Sequence, residues 1–252
     1  MGKLTNKDGY RLVFIISHKF FRGYESYLKY YIENIISFYY NPLILVVDNN
    51  SKHKQDVFDT IGLNENVVFL DNDIECKFEL GAYQVGLKYM MDNDLVNEFD
   101  YYVHTQDNFI IKNKYDFNLL KEKNVTACPI TIVRNDWAKF NVSGPILTKL
   151  GLLNRLDECD LCWCNSFILS VDKVNEVYDY LTQIIVKTRH ESEASERYLG
   201  RLLLELNNGE TFNIDGEVDN LDYYCHTVDV YGEVGNYFCK RAQQKNETTT
   251  DR

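Results

Sequence analysis

Three short polar clusters interrupt apolar runs in the first half of the chain. Ser17-His18 closes "LVFIISH", Asp48-Asn49-Asn50-Ser51 closes "LILVVDNNS", and Gln106-Asp107-Asn108 breaks "YYVHTQDNFII". Their carboxylate, amide, hydroxyl and imidazole groups accept hydrogen bonds from O–H and N–H donors, and the oxygens among them also ligate hard cations. A fourth cluster, "RHESEASER", carries Glu191, Glu193 and Glu196. A positioned carboxylate of this kind can take the proton of an attacking hydroxyl. A fifth, "ECDLCWCNSF", sets Cys159, Cys162 and Cys164 around Trp163 and Asn165. The thiols invite zinc, yet a structural site needs a fourth ligand, and neither Cys225-His226 nor Cys239 forms the matching C-x-x-C pair. Small buried apolar residues is the better reading of these cysteines.

The elements that must position these clusters are legible from periodicity. "LVFIIS" and "LILVV" are continuous apolar runs, as expected of strands covered on both faces. Between them Tyr27, Leu28, Tyr31, Ile32, Ile35 and Ile36 recur at helical spacing. "NVVFLDND" reads as a short third strand. "FELGAYQVGLKYMM" reads as a helix with Leu80, Tyr83, Leu87 and Met90 inward, and Asp100–Ile111 as the next strand. Buried strands separated by helices predict an α/β, Rossmann-like fold with a mostly parallel central sheet flanked by helices. Such sheets bind ligands at the carboxyl ends of their strands, where the first three clusters fall. Further on, "ACPITIV" and "CWCNSFILSV" read as strands. "VNEVYDYLTQIIV" and "ESEASERYLGRLLLEL" read as helices, the second with Leu199, Leu202, Leu203 and Leu206 buried, and "YYCHTVDVYGEV" as a late strand. The expectation is a single domain over residues 1–240. The tail 241–252, "AQQKNETTTDR", has no apolar anchor and is expected to be disordered.

Bulk properties narrow the partners. A chain of 252 residues, 45% hydrophobic and 14% aromatic, has the length and composition of a globular domain with a substantial core. A net charge of −11 repels polyanions, which argues against nucleic acid as a partner. A phosphate-bearing ligand would then need local compensation, and Lys19 and Arg22 are the nearest cations to the first cluster. No stretch reaches the roughly 18–20 apolar residues that a membrane span requires. The first apolar run is too short for a signal peptide. Seven cysteines form no secreted-scaffold pattern, so a cytoplasmic location is expected.

Taken in order, "LVFIISHKF", "LILVVDNNS", "FELGAYQVGL", "YYVHTQDNFII" and "SERYLGRLL" resemble the GT-A fold glycosyltransferases, most closely the inverting, family-2-like members. The likeness spans about residues 10–205 and is one of pattern, with "VVDNNS" its most specific piece. It implies a nucleotide-sugar-binding half over about 10–110 and an acceptor-side half over about 111–240. It also implies a nucleoside-diphosphate sugar as donor and a glycan or other hydroxyl as acceptor. Ser17 and His18 match positions that hold the nucleotide base, while Asp48, with Asn49 and Ser51, matches the residues at the nucleoside. A bare turn or N-cap is the competing reading of Asp-Asn-Asn-Ser. Glu79, Gly81 and Gln84 match the helix that approaches the donor. Gln106-Asp107-Asn108 stands where the family has D-x-D, whose carboxylates bind Mn²⁺ or Mg²⁺ at the diphosphate. Three expectations follow from this degenerate DXD motif. Asp107 holds a metal completed by a late residue such as His226 or Asp229; or Lys and Arg neutralise the diphosphate without metal; or catalysis is lost and a sugar-nucleotide-binding module remains. Glu196 matches the catalytic base of the family's S-E-D helix start, with Glu193 and Glu191 as competitors and a helix N-terminus as its expected setting. Trp163 and Asn165 match the acceptor strand, and Trp137 and Phe140 lie on a stretch that reads as an acceptor lid. A Rossmann-type methyltransferase or a nucleotidyltransferase would want a glycine-rich loop after the first strand, where only Gly23 stands.

Overall fold

Apolar side chains that alternate between two faces set the centre of the molecule. In β1 (Leu12–His18) all residues are buried. Leu12, Phe14 and Ile16 join one core cluster, and Val13 and Ile15 join the other. This is the period-two geometry of a strand with both faces covered. On one side α1 (Glu25–Phe38) presses Leu28, Tyr31, Ile32 and Ile35 against the sheet. On the other, α2 (Phe78–Asp92) presses Leu80, Tyr83, Leu87 and Met90 against it. Each such side chain taken out of water contributes about 1.5–3 kcal/mol. The structure is a computed structural model that describes residues 8–19, 25–52, 55, 58–59, 64–133, 140–152, 161–210, 212–215, 217–218 and 237–240.

Among the described residues the main sheet has six strands, in the order β3-β2-β1-β4-β9-β6. They are β1, β2 (Leu43–Asp48), β3 (Val67–Asp71), β4 (Tyr101–Gln106), β6 (Ala127–Pro129) and β9 (Phe167–Ser170). β1 is parallel to β2 and β4, and β2 is parallel to β3. β9 pairs antiparallel with both β4 and β6, so it alone is reversed. The fold is therefore α/β, with a mostly parallel mixed sheet flanked by helices, in line with a Rossmann-like plan. From β1 the chain adds β2 and then β3 on one side, and later returns to lay β4 on the other. The order switches between β1 and β4, and in such sheets the crevice at the carboxyl ends of the two switch strands is where ligands bind.

Several boundaries differ from the sequence expectation for local reasons. The run Asp100–Ile111 is two strands. β4 stops at Gln106, Asp107 and Asn108 turn, and β5 (Phe109–Ile111) pairs antiparallel with β11 (Phe238–Lys240) in a separate sheet. Short polar residues that bond their own backbone favour such a turn. "ACPITIV" likewise divides into β6 and β7 (Ile132–Val133), and β7 lies between β8 (Leu161–Cys162) and β10 (Glu217–Val218). "CWCNSFILSV" is broken after β8 by a 3-10 turn, Trp163–Asn165, in which Cys164 and Asn165 have φ of 57° and 53°. A continuous strand cannot hold two left-handed residues in succession. Among the helices, α3 (Asn118–Glu122) and α4 (Phe140–Lys149) fall between β5 and β8. α5 (Val174–Leu181) ends sooner than its apolar pattern suggests. α6 (Arg189–Leu206) starts ahead of "ESEASER", because Thr188 and Glu191 close a reciprocal capping box. The expected late strand and the tail lie outside the described residues.

Candidate functional site

The tips of β1 and β4 are joined directly. Ser17 and Gln106 are register partners, and the Asp107 amide donates to the Ser17 carbonyl at 3.1 Å. The turn after β4 swings the Asp107 carboxylate back over β1, where Oδ2 meets His18 Nδ1 at 2.7 Å and receives the Lys19 amide at 3.1 Å. An ionised carboxylate offers only acceptors, so the proton of this contact is assigned to Nδ1. His18 is 5% exposed, and its Nε2 is buried with no hydrogen-bond partner among the described residues. The Asp107 side chain is 17% exposed, and its Oδ1 makes no hydrogen bond with a described residue.

The tips of β2 and β3 extend the same edge. The Asn49 amide donates to the His18 carbonyl at 2.8 Å, and Asn49 Nδ2 donates to Ser17 Oγ at 2.9 Å. Asn72 Nδ2, just past β3, donates to Asn49 Oδ1 at 2.8 Å and to the Cys76 carbonyl at 3.1 Å. Asp48 is 1% exposed and works inward: Oδ2 accepts the Ser51 amide at 2.8 Å and Oδ1 accepts Ser51 Oγ at 2.5 Å. Its carboxylate builds the turn that the residues Asp-Asn-Asn-Ser favour on their own account. Gly81 makes a close approach possible, though to the chain itself. A Cβ there would stand 2.0 Å from the Cys76 carbonyl oxygen and 2.5 Å from Asn72 Nδ2.

On the far side of β4 the network continues into α2 and α6. Gln106 Nε2 donates to Glu79 Oε1 at 2.9 Å and to the Cys164 carbonyl at 3.1 Å. Glu79 Oε2 receives Ser192 Oγ at 2.6 Å. The Cys164 amide, presented by the left-handed turn, donates to Glu196 Oε1 at 2.9 Å. Asn165 locks that turn onto α6, accepting from Ser195 Oγ at 2.8 Å and donating to the Ser192 carbonyl at 3.3 Å. Ser17, His18, Asn49, Glu79, Gln106, Asp107 and Glu196 therefore belong to one connected edge, with Asp48, Ser51 and Gly81 shaping it. Asn108 is buried in the turn itself.

Other predicted residues have different work. Gln84 donates to the carbonyls of Leu181 at 2.7 Å and Ile184 at 3.2 Å, tying α2 to the end of α5. Trp163 is buried in the core cluster on the α1 side. Glu193 pairs with Arg189 at 2.9 Å, a contact partly open to solvent. Glu191 is the capping carboxylate, and the amides of Lys187 and Thr188 hold its pKa below the usual range. Glu196 is thus not at the helix N-terminus as expected: Thr188 starts α6 earlier, which places Glu196 beyond the first turn, where the macrodipole has faded. Its anchor is the Cys164 amide instead. Arg22, Trp137, Cys159, Cys225, His226 and Asp229 lie outside the described residues, and Phe140 opens α4.

The charge on this edge is largely negative. Asp107, Glu79 and Glu196 line it, and Lys19, directly after β1, is a cation beside them, its Nζ 3.3 Å from the Asn49 carbonyl. Among the described residues no group of three or more His, Cys, Asp or Glu side chains is placed to hold a metal ion. Asp107 contributes one open carboxylate oxygen, short of the oxygen set a hard cation needs, so the described residues do not by themselves fit Mn²⁺ or Mg²⁺. Cys162 is buried, its Sγ donates to the Ser166 carbonyl at 3.2 Å, and burial raises its thiol well above the ordinary pKa.

Comparison of the chain with protein-family models and with curated proteins yields no match. Among the described residues no helix is long and apolar enough to cross a membrane. Sequence reasoning missed Asn72, Ser192 and the Cys164 main chain. Asn72 follows β3, so the strand-exit rule applied once more would have found it. The other two come into place only through the contact of α6 with the 3-10 turn.

Proposed function

We propose that the chain is a glycosyltransferase that moves a sugar from a nucleoside-diphosphate sugar to an acceptor hydroxyl, with inversion at the anomeric carbon. The observation that supports this reading is the connected edge itself. Residues from β1, β2, β4, α2 and α6, the segments that carry the resemblance, meet across the switch point through hydrogen bonds such as Gln106–Glu79 and Cys164–Glu196. In this reading the donor lies over the tips of β1 and β4, with Lys19 near its diphosphate. The acceptor oxygen attacks the anomeric carbon as the carbon–oxygen bond to the diphosphate breaks. The leaving diphosphate takes the electron pair, and Glu196 takes the hydroxyl proton. The Cys164 amide keeps Glu196 oriented for that transfer. No step is assigned to a metal.

Incubating the protein with UDP-, GDP- and dTDP-sugars, with and without Mn²⁺, and following donor consumption tests the proposal. Glu196→Gln is expected to lower turnover about 10²- to 10⁴-fold, the usual contribution of a general base. Asp107→Ala is expected to remove it with the fold retained. Wild-type turnover in Asp107→Ala would overturn the site assignment. Tight sugar-nucleotide binding with no turnover against any acceptor would favour a non-catalytic binding module.

A further inference from the structure

We propose that His18 is a ligand-binding residue: held by Asp107 where the tips of β1 and β4 join, it receives a sugar-ring hydroxyl at Nε2. This rests on the nucleotide-sugar reading of the edge and goes further by naming the protein atom and the ligand group it meets.

Position is the first argument. The strand order reverses between β1 and β4, and His18 ends one of these strands while Asp107 follows the other. The 2.7 Å contact between them joins the carboxyl ends of the two switch strands, the place where parallel α/β sheets take their ligands. Orientation is the second. Asp107 Oδ2 takes the Nδ1 proton and is itself held by the Lys19 amide, so the ring cannot swing or exchange tautomers freely. In that tautomer Nε2 carries a lone pair and seeks a donor.

The third argument is the state of Nε2. It is buried, on a residue 5% exposed, and finds no partner among the described residues. A buried polar atom left this way costs about 1–3 kcal/mol, and folded proteins leave few of them. Its neighbours are acceptors too. Asp107 Oδ1 bonds to no described residue, and Asn72 Oδ1, further along the edge, is likewise buried and unpartnered. An edge with spare acceptors suits a ligand rich in O–H donors, which describes both the ribose and the transferred sugar of a sugar nucleotide. His104 differs in setting and orientation, not in being unpartnered, since both of its ring nitrogens are also buried without a hydrogen-bond partner among the described residues. It is 0% exposed, stacked on Phe167 at 4.1 Å, with Tyr83 edge-on at 5.0 Å and no carboxylate to orient it.

The test combines binding with nitrogen NMR of the imidazole, using UDP-glucose, UDP, 2′-deoxy-UDP, uridine and glucose as probes. The free wild-type protein should show His18 protonated at Nδ1, and a bound probe should shift the Nε2 resonance. His18→Phe should weaken UDP-glucose binding about 5- to 100-fold, the loss of one buried hydrogen bond. If the hydroxyl is on the ribose, 2′-deoxy-UDP binds wild type as weakly as UDP binds His18→Phe. If it is on the hexose, the preference for UDP-glucose over UDP disappears in the variant. Should His18→Phe fail to fold, His18→Gln and the wild-type NMR carry the same decision. Undiminished binding in the variants, a proton on Nε2 in the free protein, or an unmoved Nε2 signal overturns the proposal. Silence of all five probes overturns it together with the sugar-nucleotide reading. Binding through His18 without transfer to any acceptor sinks only the transferase reading.

Discussion

Asp48 and Asp107 are the same residue type at the same edge of the same sheet, two strands apart, and they do opposite things. Asp48 spends both oxygens on Ser51 and is 1% exposed. Asp107 places one oxygen between His18 and the Lys19 amide, keeps the other clear, and is 17% exposed in its side chain. One carboxylate closes its turn; the other reaches across a strand boundary. The difference follows from the connection each strand makes. After β2 the chain continues along the edge with Asn49, which bonds Ser17 beside it, so Asp48 can satisfy itself locally. After β4 the chain turns at once at Asp107 and Asn108 into β5, in a separate sheet, and the Asp107 side chain lies over its neighbour β1. A ligand is therefore expected at β1/β4, with β2/β3 as the frame that supports it.

This contrast can be broken by substitution. The largest effect on the frame should come from Gly81→Ala, because its Cβ would meet the Cys76 carbonyl oxygen at 2.0 Å. A loss of about 3 kcal/mol is expected from such overpacking, measured by urea unfolding. Asp48→Ala comes next. Removing a buried carboxylate that accepts two hydrogen bonds should cost about 2–3 kcal/mol, whereas Asp107→Ala should cost about 1 kcal/mol and act on turnover instead. A larger stability loss from Asp107→Ala than from Asp48→Ala would reverse the assignment of frame and site.

The two histidines sharpen the comparison through pH. Burial pushes His104 down from 6.5 to about 3, so the folded state refuses a proton that the unfolded chain binds below pH 6.5. Stability from this residue is thus full above pH 6.5 and is lost as pH falls toward 3. The loss should reach about 2 kcal/mol between pH 6.5 and 4.5. His104→Phe should flatten that part of the acid limb in urea titrations, and an unchanged slope would mean that His104 is not sealed. The smallest effect is expected from Glu193→Gln. Its pair with Arg189 is partly exposed, so stability should change by less than about 1 kcal/mol and turnover should hold. A large loss of turnover there would move the base from Glu196 to Glu193.

Much of this was legible in residue order. Leu12 to Val47 alternates helical and strand periods clearly enough to place β1, α1 and β2, and the inward positions of α2 and α6 are buried as their spacing requires. The strand-exit rule singles out His18, Asp48, Asn49, Gln106 and Asp107, and the structure joins them along one edge, with the Asp48 oxygens accepting from Ser51. In sequence a carboxylate at a strand end looks the same whether it faces its own turn or a ligand. The rule overlooked Asn72, since β3 is short and only partly buried. The break in "CWCNSFILSV" was hidden because no glycine marks the left-handed pair at Cys164 and Asn165.

By itself the sequence determined that strands and helices alternate, which faces are apolar, and which polar residues stand at strand ends, because these depend on spacing within a few residues. Only the tertiary structure decided that β4 lies beside β1, that Asp107 meets His18 and not a partner of its own, and that Glu196 is anchored by the Cys164 amide. Those contacts join residues far apart in the chain, and their geometry follows from sheet order and helix docking. Hydrophobic burial sets that order without regard to the polar groups it brings together.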